Sequence, residues 1–443
     1  MTPQDVTAPR RALPLLVPAL LAAAVSLAFL ALCYRAYHSA ASADFMALWL
    51  AGQSLAEGRP DLIYPPDGAY FTMLPPPEWI DRLRAEGYGG DVFPYLYPPI
   101  WAWIAAKASI VMRYETLQSA AAIVNPMLIA GMVATAWRLA APTMALWLYL
   151  ALGLAMMSLS AIGVVAVLQN QPQILVAFLS VLAVERAEHG APRLAGGLLA
   201  IAAAIKLYPA LYAVLWLAAG QRRSAASFAI AGAGIALLSV ALAGWPLHAA
   251  FLRNLHAISH TAMLTNLSYS VESLIAQLGF MDRAIYVTAP TLDTSHAIPG
   301  WKVLPMPGAL WLAMMVAQIA ALGWCAWRFR TARTTGERAA LWPWAMAVLA
   351  LLAPIGWCYY YLATAAFAPM IAARIGLAKG AAFLLVFILG TSPYVWTILA
   401  GLSPDLPTLG RLLQATGTLT MLLMAAMCLR VARIAPDDTL RAP

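Results

Sequence analysis

Several apolar runs are too long for a soluble core and limit what this chain can become. Segments 13–32, 144–168 and 381–400 carry no charged residue, and each reaches the roughly 18 residues that cross a hydrocarbon layer. Backbone groups inside lipid find no water to bond, so these runs must close their hydrogen bonds internally, as helices. Composition points the same way: 63% of the 443 residues are hydrophobic and only 10% charged, against about 25% charged in a soluble domain. The expected fold is an all-α polytopic membrane protein, a single integral membrane domain over 1–443, with about 11–14 transmembrane or half-membrane helices.

The net charge of +8 raises the alternative of nucleic acid, which the distribution of the charge excludes. Lys and Arg gather in short clusters between apolar runs: Arg10-Arg11, 186–193, Arg222-Arg223, 328–338, 374–379, and Arg430 with Arg433. Cytoplasmic loops are marked in this way, so the basic balance reports topology, with membrane lipid headgroups as partners. Cys33, Cys325, Cys358 and Cys428 show no metal-ligand spacing and read as small packing residues; only Cys33 and Cys358 share an expected side, so only they could pair. Arg10-Arg11, an apolar stretch and Ala41-Ser42-Ala43 imitate a signal peptide. The stretch runs to about 20 residues, against 7–15 for a signal segment, and is expected to stay as the first spanning helix.

Segment 39–96 follows as a long loop holding eight of the 19 acids and only three Arg, which puts it outside. Within it Phe45, Leu48, Trp49 and Leu55 recur at helical spacing opposite Gln53, Ser54 and Glu57, the pattern of a helix lying in the interface. Parity between this outer loop and the basic 186–193 segment requires an odd number of crossings. Either 143–168 contains two short legs or one segment does not cross; the first is favoured, because it leaves Gln169-Asn170-Gln171 at the outer surface. Both flanks of 194–219 are basic, and its 26 residues are too few for two full spans. Pro209 breaks a helix, so two short legs should meet at Lys206-Leu207-Tyr208-Pro209. Broken helices at membrane depth survive only against protein or a watery cavity, which puts Lys206 in a cavity. A helix over 224–243 leads to a second outer loop, 244–308, with four of the six His (His248, His256, His260, His296). Further spans are expected near 309–327, 341–356, 360–373, 380–399 and 411–429.

Three features could carry chemistry. Asp44 opens the interfacial helix, where Asp serves as an N-cap and could equally act as a general base. Lys206 at membrane depth marks a functional position, or else snorkels to the interface; Tyr208 and Pro209 beside it favour a fixed cation facing a phosphate. Gln169, Gln171, Asn266, Ser268, Tyr97, Trp357, Tyr359, Tyr360 and Tyr361 are scattered polar and aromatic residues expected on one side. Singly each reads as an interfacial or packing residue, and only their convergence favours a site. No acidic pair or triad points to a metal, and no cofactor is expected.

Several of these residues stand in a familiar order. Asp44-Phe45, Trp49-Leu50-Ala51-Gly52, Gly58, Tyr64, Tyr97-Pro98-Pro99, Gln169-Asn170-Gln171, the block 203–209 ending Lys206-Leu207-Tyr208-Pro209, and Asn266-Leu267-Ser268 resemble glycosyltransferase family 87. That family comprises the polyprenyl-phosphate-mannose-dependent mannosyltransferases of the C superfamily. The resemblance runs over about residues 40–370. It implies inverting transfer of a hexose, mannose first, from a polyprenyl-phosphate sugar to a lipid-anchored glycan acceptor on the outer face of the inner membrane. By the resemblance Asp44 is the base; Lys206 and Tyr208 are expected to bind donor phosphate, and Tyr64, Tyr97, Gln169, Gln171, Asn266, Ser268, Trp357, Tyr359 and Tyr360 to bind donor or acceptor. Two departures stand out: Asn170 replaces a Gly of the family pattern, and Trp357-Cys358-Tyr359-Tyr360 lacks its His. The chemistry is physically coherent. A carboxylate can take the proton of an attacking hydroxyl, and a phosphate leaving group needs charge stabilisation more than protonation. The rival class is a lipid-sugar flippase or transporter, which also uses broken helices and intramembrane cations.

Overall fold

A computed structural model of the chain describes residues 13–140, 144–290, 292, 300–402 and 406–434; Arg10, Arg11 and His296 lie outside them. The architecture is that of an all-α polytopic membrane protein. Leu16–Tyr37, Tyr114–Ala140, Arg222–Ala243, Gly308–Thr331 and Thr408–Ile434 are long and apolar enough to cross a bilayer, and two bent helix pairs bring the candidate spans to as many as 7 among the described residues.

The expected breaks are present. Leu146–Leu159 and Ala161–Leu168 meet at 72°, with Ser160 extended between them. A side chain on Gly163 would stand 2.3 Å from the Met157 carbonyl oxygen, so only glycine lets the second leg close so tightly on the first. Pro192–Ile205 and Ala210–Ala218 are separated at 206–209, where Lys206 is extended and Pro209 begins the second helix. The region 360–373, expected as a span, is instead two short helices, Leu362–Ala365 and Ala368–Ile375, almost wholly buried in protein. Pro369, in the first turn of the second helix, has no N–H to continue the helical ladder from the first.

Other expectations change in detail. In the helix Ala43–Ala56 the N-cap is Ser42, and Asp44 lies in the first turn. The buried face is Met46, Ala47, Leu50, Ala51 and Ser54; Ser54, read as polar-side, accepts from the Trp79 indole at 3.0 Å. The helix therefore packs on protein through this face. At Gly52 a Cβ would lie 2.6 Å from the Ala105 backbone, so this glycine permits close packing on the helix Pro99–Val111. All four cysteines are buried and free, Cys33 and Cys358 included. Some basic clusters also serve the protein itself: Arg138 and Arg186 flank buried Glu185, while Arg338, Gln221 and the Trp342 indole surround Glu188.

The second expected outer loop holds structure that the hydropathy pattern did not signal. Trp245–Ser259 is helical. Strands β1 (Thr261–Leu264), β2 (Ile285–Thr288) and β3 (Gly300–Pro305) form an antiparallel sheet in the order β1-β3-β2. Strands of four to six residues are too short for period-2 alternation to stand out. One face packs Met263, Val287, Trp301 and Val303 against Phe71 and Met73 of the first loop. The Phe71 amide donates to Thr261 Oγ1 at 2.9 Å, and the Trp301 indole donates to the Thr72 carbonyl at 2.8 Å. The two loops thus form one layer beside the helix breaks.

Candidate active site

Between this layer and the helix breaks lies a cavity of about 690 Å³, a volume in the range of small-molecule sites. Its wall includes Asp44, Gln169, Gln171, Tyr97, Lys206 and Tyr208. Asn266, Trp357, Tyr359 and Tyr360 also face it. Three expected members stand outside. Of these, Tyr361 is buried and donates to the Tyr269 carbonyl at 2.7 Å. Tyr64 is buried and donates to the Tyr97 carbonyl at 2.7 Å, so it supports the chain that carries Tyr97. Ser268 is buried and bridges Trp357 through its backbone, which fixes where Trp357 stands.

Asp44 is held from a distant part of the chain. Ala161–Leu168 ends in the turn 169–171, and the Gln171 amide donates to Asp44 Oδ2. The Gln171 carbonyl oxygen accepts from the Tyr97 hydroxyl at 3.1 Å, and the Asp44 amide donates to Gln169 Oε1 at 3.3 Å. Asn170, between these glutamines, has φ 44°, a left-handed conformation that Gly adopts freely and Asn tolerates better than most side chains. That accounts for Asn where the family pattern has Gly. Its amide group also accepts from Asn125 and donates to Ser42 Oγ, both at 3.0 Å, tying the turn to the residue that caps the Asp44 helix. The other non-glycine residues with positive φ, Met73 (63°) and Ile355 (61°), line the same cavity. Backbone strain of this kind gathers at functional sites.

Enclosure by protein raises the Asp44 carboxyl above the usual aspartate range; the Gln171 hydrogen bond and the Lys206 charge pull the other way without cancelling it. The group is still partly open to the cavity, so it can meet a substrate hydroxyl.

Lys206 sits in a box of rings. Its Nζ is 4.7 Å from the Tyr360 ring centroid, 5.1 Å from Tyr359 and 5.5 Å from Tyr97, all within cation–π range. Tyr208 stacks on Tyr360 at 5.9 Å and accepts a 2.6 Å hydrogen bond from Gln173. The Trp101 indole donates to the Ala204 carbonyl at 3.0 Å, satisfying one of the carbonyls freed at the helix end. Rings thus occupy the position where the family pattern has its late His, and they fix the cation instead of adding a second titrating group.

Sequence reasoning missed Lys302 on β3, Arg411 and Gln414 on the helix Leu406–Ile434, and Gln277 on the helix Val271–Gly279, all of which line the cavity. A signal existed for one of them: Lys302 is a cation in the loop read as outer, against the positive-inside bias. Among the described residues no group of three or more His, Cys, Asp or Glu is placed to hold a metal ion.

The model of glycosyltransferase family 87 matches residues 95–354, more than half of the chain. No curated protein and no solved structure matches it.

Proposed function

Because the chain belongs to glycosyltransferase family 87 and is therefore a glycosyltransferase, we propose that it moves a hexose, mannose first, from a polyprenyl-phosphate sugar to a hydroxyl of a lipid-linked acceptor, with inversion. The reaction runs on the outer face of the inner membrane. Asp44 takes the acceptor hydroxyl proton as that oxygen attacks the anomeric carbon from the side opposite the phosphate. The bond from the anomeric carbon to the phosphate oxygen breaks, and polyprenyl phosphate leaves with its new negative charge facing the Lys206 ammonium. Asp44, now protonated, passes its proton to water.

The observation that carries this reading is the single cavity shared by Asp44 and Lys206. Gln171 sets the angle of the carboxylate, and the ring box keeps the ammonium from swinging out to the interface. Ile205 and the half-exposed Leu207 give the cavity an apolar flank suited to a donor lipid that never leaves the membrane.

The test supplies membranes containing the protein with labelled polyprenyl-phosphate mannose and a lipid extract. The expected result is a labelled glycolipid whose new linkage is inverted relative to the donor. Movement of labelled donor across the membrane with no glycosidic product would overturn the reading in favour of a flippase.

A further inference from the structure

The turn that holds Asp44 is braced at both ends. The amides of Gln169, Asn170 and Gln171 donate back to the carbonyls of Val165, Val167 and Ala166. Two residues on, Gln173 opens the helix Gln173–Glu188, and the Ile174 amide donates to the Gln171 carbonyl at 3.0 Å. The turn and the start of the next helix therefore hold each other in place.

Glutamines of this segment reach two different parts of the site. Gln169 and Gln171 bond to Asp44. Gln173 is fully buried, and its Nε2 donates to the Tyr208 hydroxyl at 2.6 Å. The Tyr208 ring is stacked on Tyr360, with the two planes 25° apart. Of the three rings around Lys206 Nζ, Tyr360 is the nearest. An unbroken run of contacts thus leads from Gln173 through two rings to the ammonium.

Packing alone does not account for a glutamine at this position. Its other amide atom, Oε1, is buried without a hydrogen-bond partner. An orphaned buried polar atom costs stability, whereas apolar groups of the same shape in place of both partners would carry no such cost.

We propose that Gln173 is a positioning residue for the leaving-group side of the reaction. By holding the Tyr208 hydroxyl it fixes the Tyr208–Tyr360 stack, and through that stack the place of the Lys206 ammonium. Segment 169–173 then sets the spacing between the base and the cation, which matters because displacements of about 1 Å can cost much of the gain from orientation. The assignment of Lys206 to the donor phosphate rests on the transferase reading above.

Binding to the purified full chain, without turnover, tests this. The probes are farnesyl phosphate and farnesol, which differ by the phosphate, and the readout is the ratio of their Kd values. A change that merely loosens the lipid-binding surface moves both constants and leaves the ratio. Wild type should prefer farnesyl phosphate by about tenfold or more, the scale of a hydrogen bond to a charged group. Gln173→Met keeps the length of the side chain and removes the bond, and should reduce that preference about three- to tenfold. Tyr208→Phe deletes the same bond from the other side and keeps the ring, so it should reduce the preference at least as much. The double variant should lose no more than Tyr208→Phe alone, since both changes remove one interaction. Losses that multiply in the double variant would overturn the proposal, as would a wild-type preference in Gln173→Met. No preference in the wild type would remove the donor-phosphate role of Lys206, and this proposal with it.

Discussion

The side-chain amide of Gln171 donates directly to Asp44 Oδ2, and the same residue accepts from Tyr97. The carboxylate at the start of one helix is thus oriented by a turn that belongs to another. One of its two oxygens is engaged and the group still opens onto the cavity, as a base that must receive a proton requires.

Asp44→Asn keeps the shape of the side chain and removes its basicity. Transfer should fall about 10²–10⁴-fold, the usual contribution of a positioned base, while donor binding stays near wild type. Initial rates and donor binding measured on the same preparation check this. Full transfer by the variant would remove Asp44 from the mechanism.

The pH profile should carry the mark of enclosure. Burial pushes the Asp44 carboxyl up to about 6 against the opposing Gln171 hydrogen bond and Lys206 charge. A base works when ionised, so kcat/KM should decline as pH falls through about 6 and level off above it. Gln171→Leu removes a hydrogen bond that favours the ionised form, so its decline should begin at higher pH. An unshifted profile in that variant would contradict the role given to Gln171.

Lys206→Ala removes the cation held by Tyr97, Tyr359 and Tyr360. A charged hydrogen-bond partner is worth about 1.5–3 kcal/mol, so donor KM should rise about 10–100-fold. Titration of the polyprenyl-phosphate donor measures it. A KM equal to wild type would mean that Lys206 does not face the donor.

Asn170 offers a test of backbone strain. Asn170→Gly keeps the left-handed conformation at φ 44° and loses the bonds to Asn125 and Ser42. Asn170→Ala loses the same bonds and also incurs the left-handed cost of about 1–2 kcal/mol. Thermal unfolding in detergent should therefore rank wild type above Gly, and Gly above Ala. An Ala variant as stable as the Gly variant would refute the strain account.

Glu272 predicts a pH effect on stability rather than on rate. It is 1% exposed, and burial raises its carboxyl to about 8 despite a hydrogen bond from the Ile355 amide. The folded state therefore holds a proton that the unfolded chain has already lost above its ordinary value of 4.5. Stability linked to this group is full below that value and is lost as pH rises toward about 8. Thermal unfolding of Glu272→Gln should show a flatter fall over this window, and a slope equal to wild type would place the effect elsewhere.

Hydropathy alone determined that the chain is a membrane protein built of helices, because a backbone in lipid has few ways to satisfy its own polar groups. Local chemistry was nearly as informative: Pro209 marks the break that exposes Lys206, and the 143–168 run is too long for one straight leg and bends at Ser160. Long-range pairing is what sequence could not supply. That Gln171 reaches Asp44, that Tyr64 and Ser268 support the wall instead of forming it, and that Lys302 and Arg411 line the same cavity as Lys206 depend on segments far apart in the chain. Polar side chains of this kind leave no periodic trace. Their partners are chosen only when packed helices and a short sheet bring them within a few ångströms, so the helices could be read from the sequence and the arrangement of the site only from the tertiary structure.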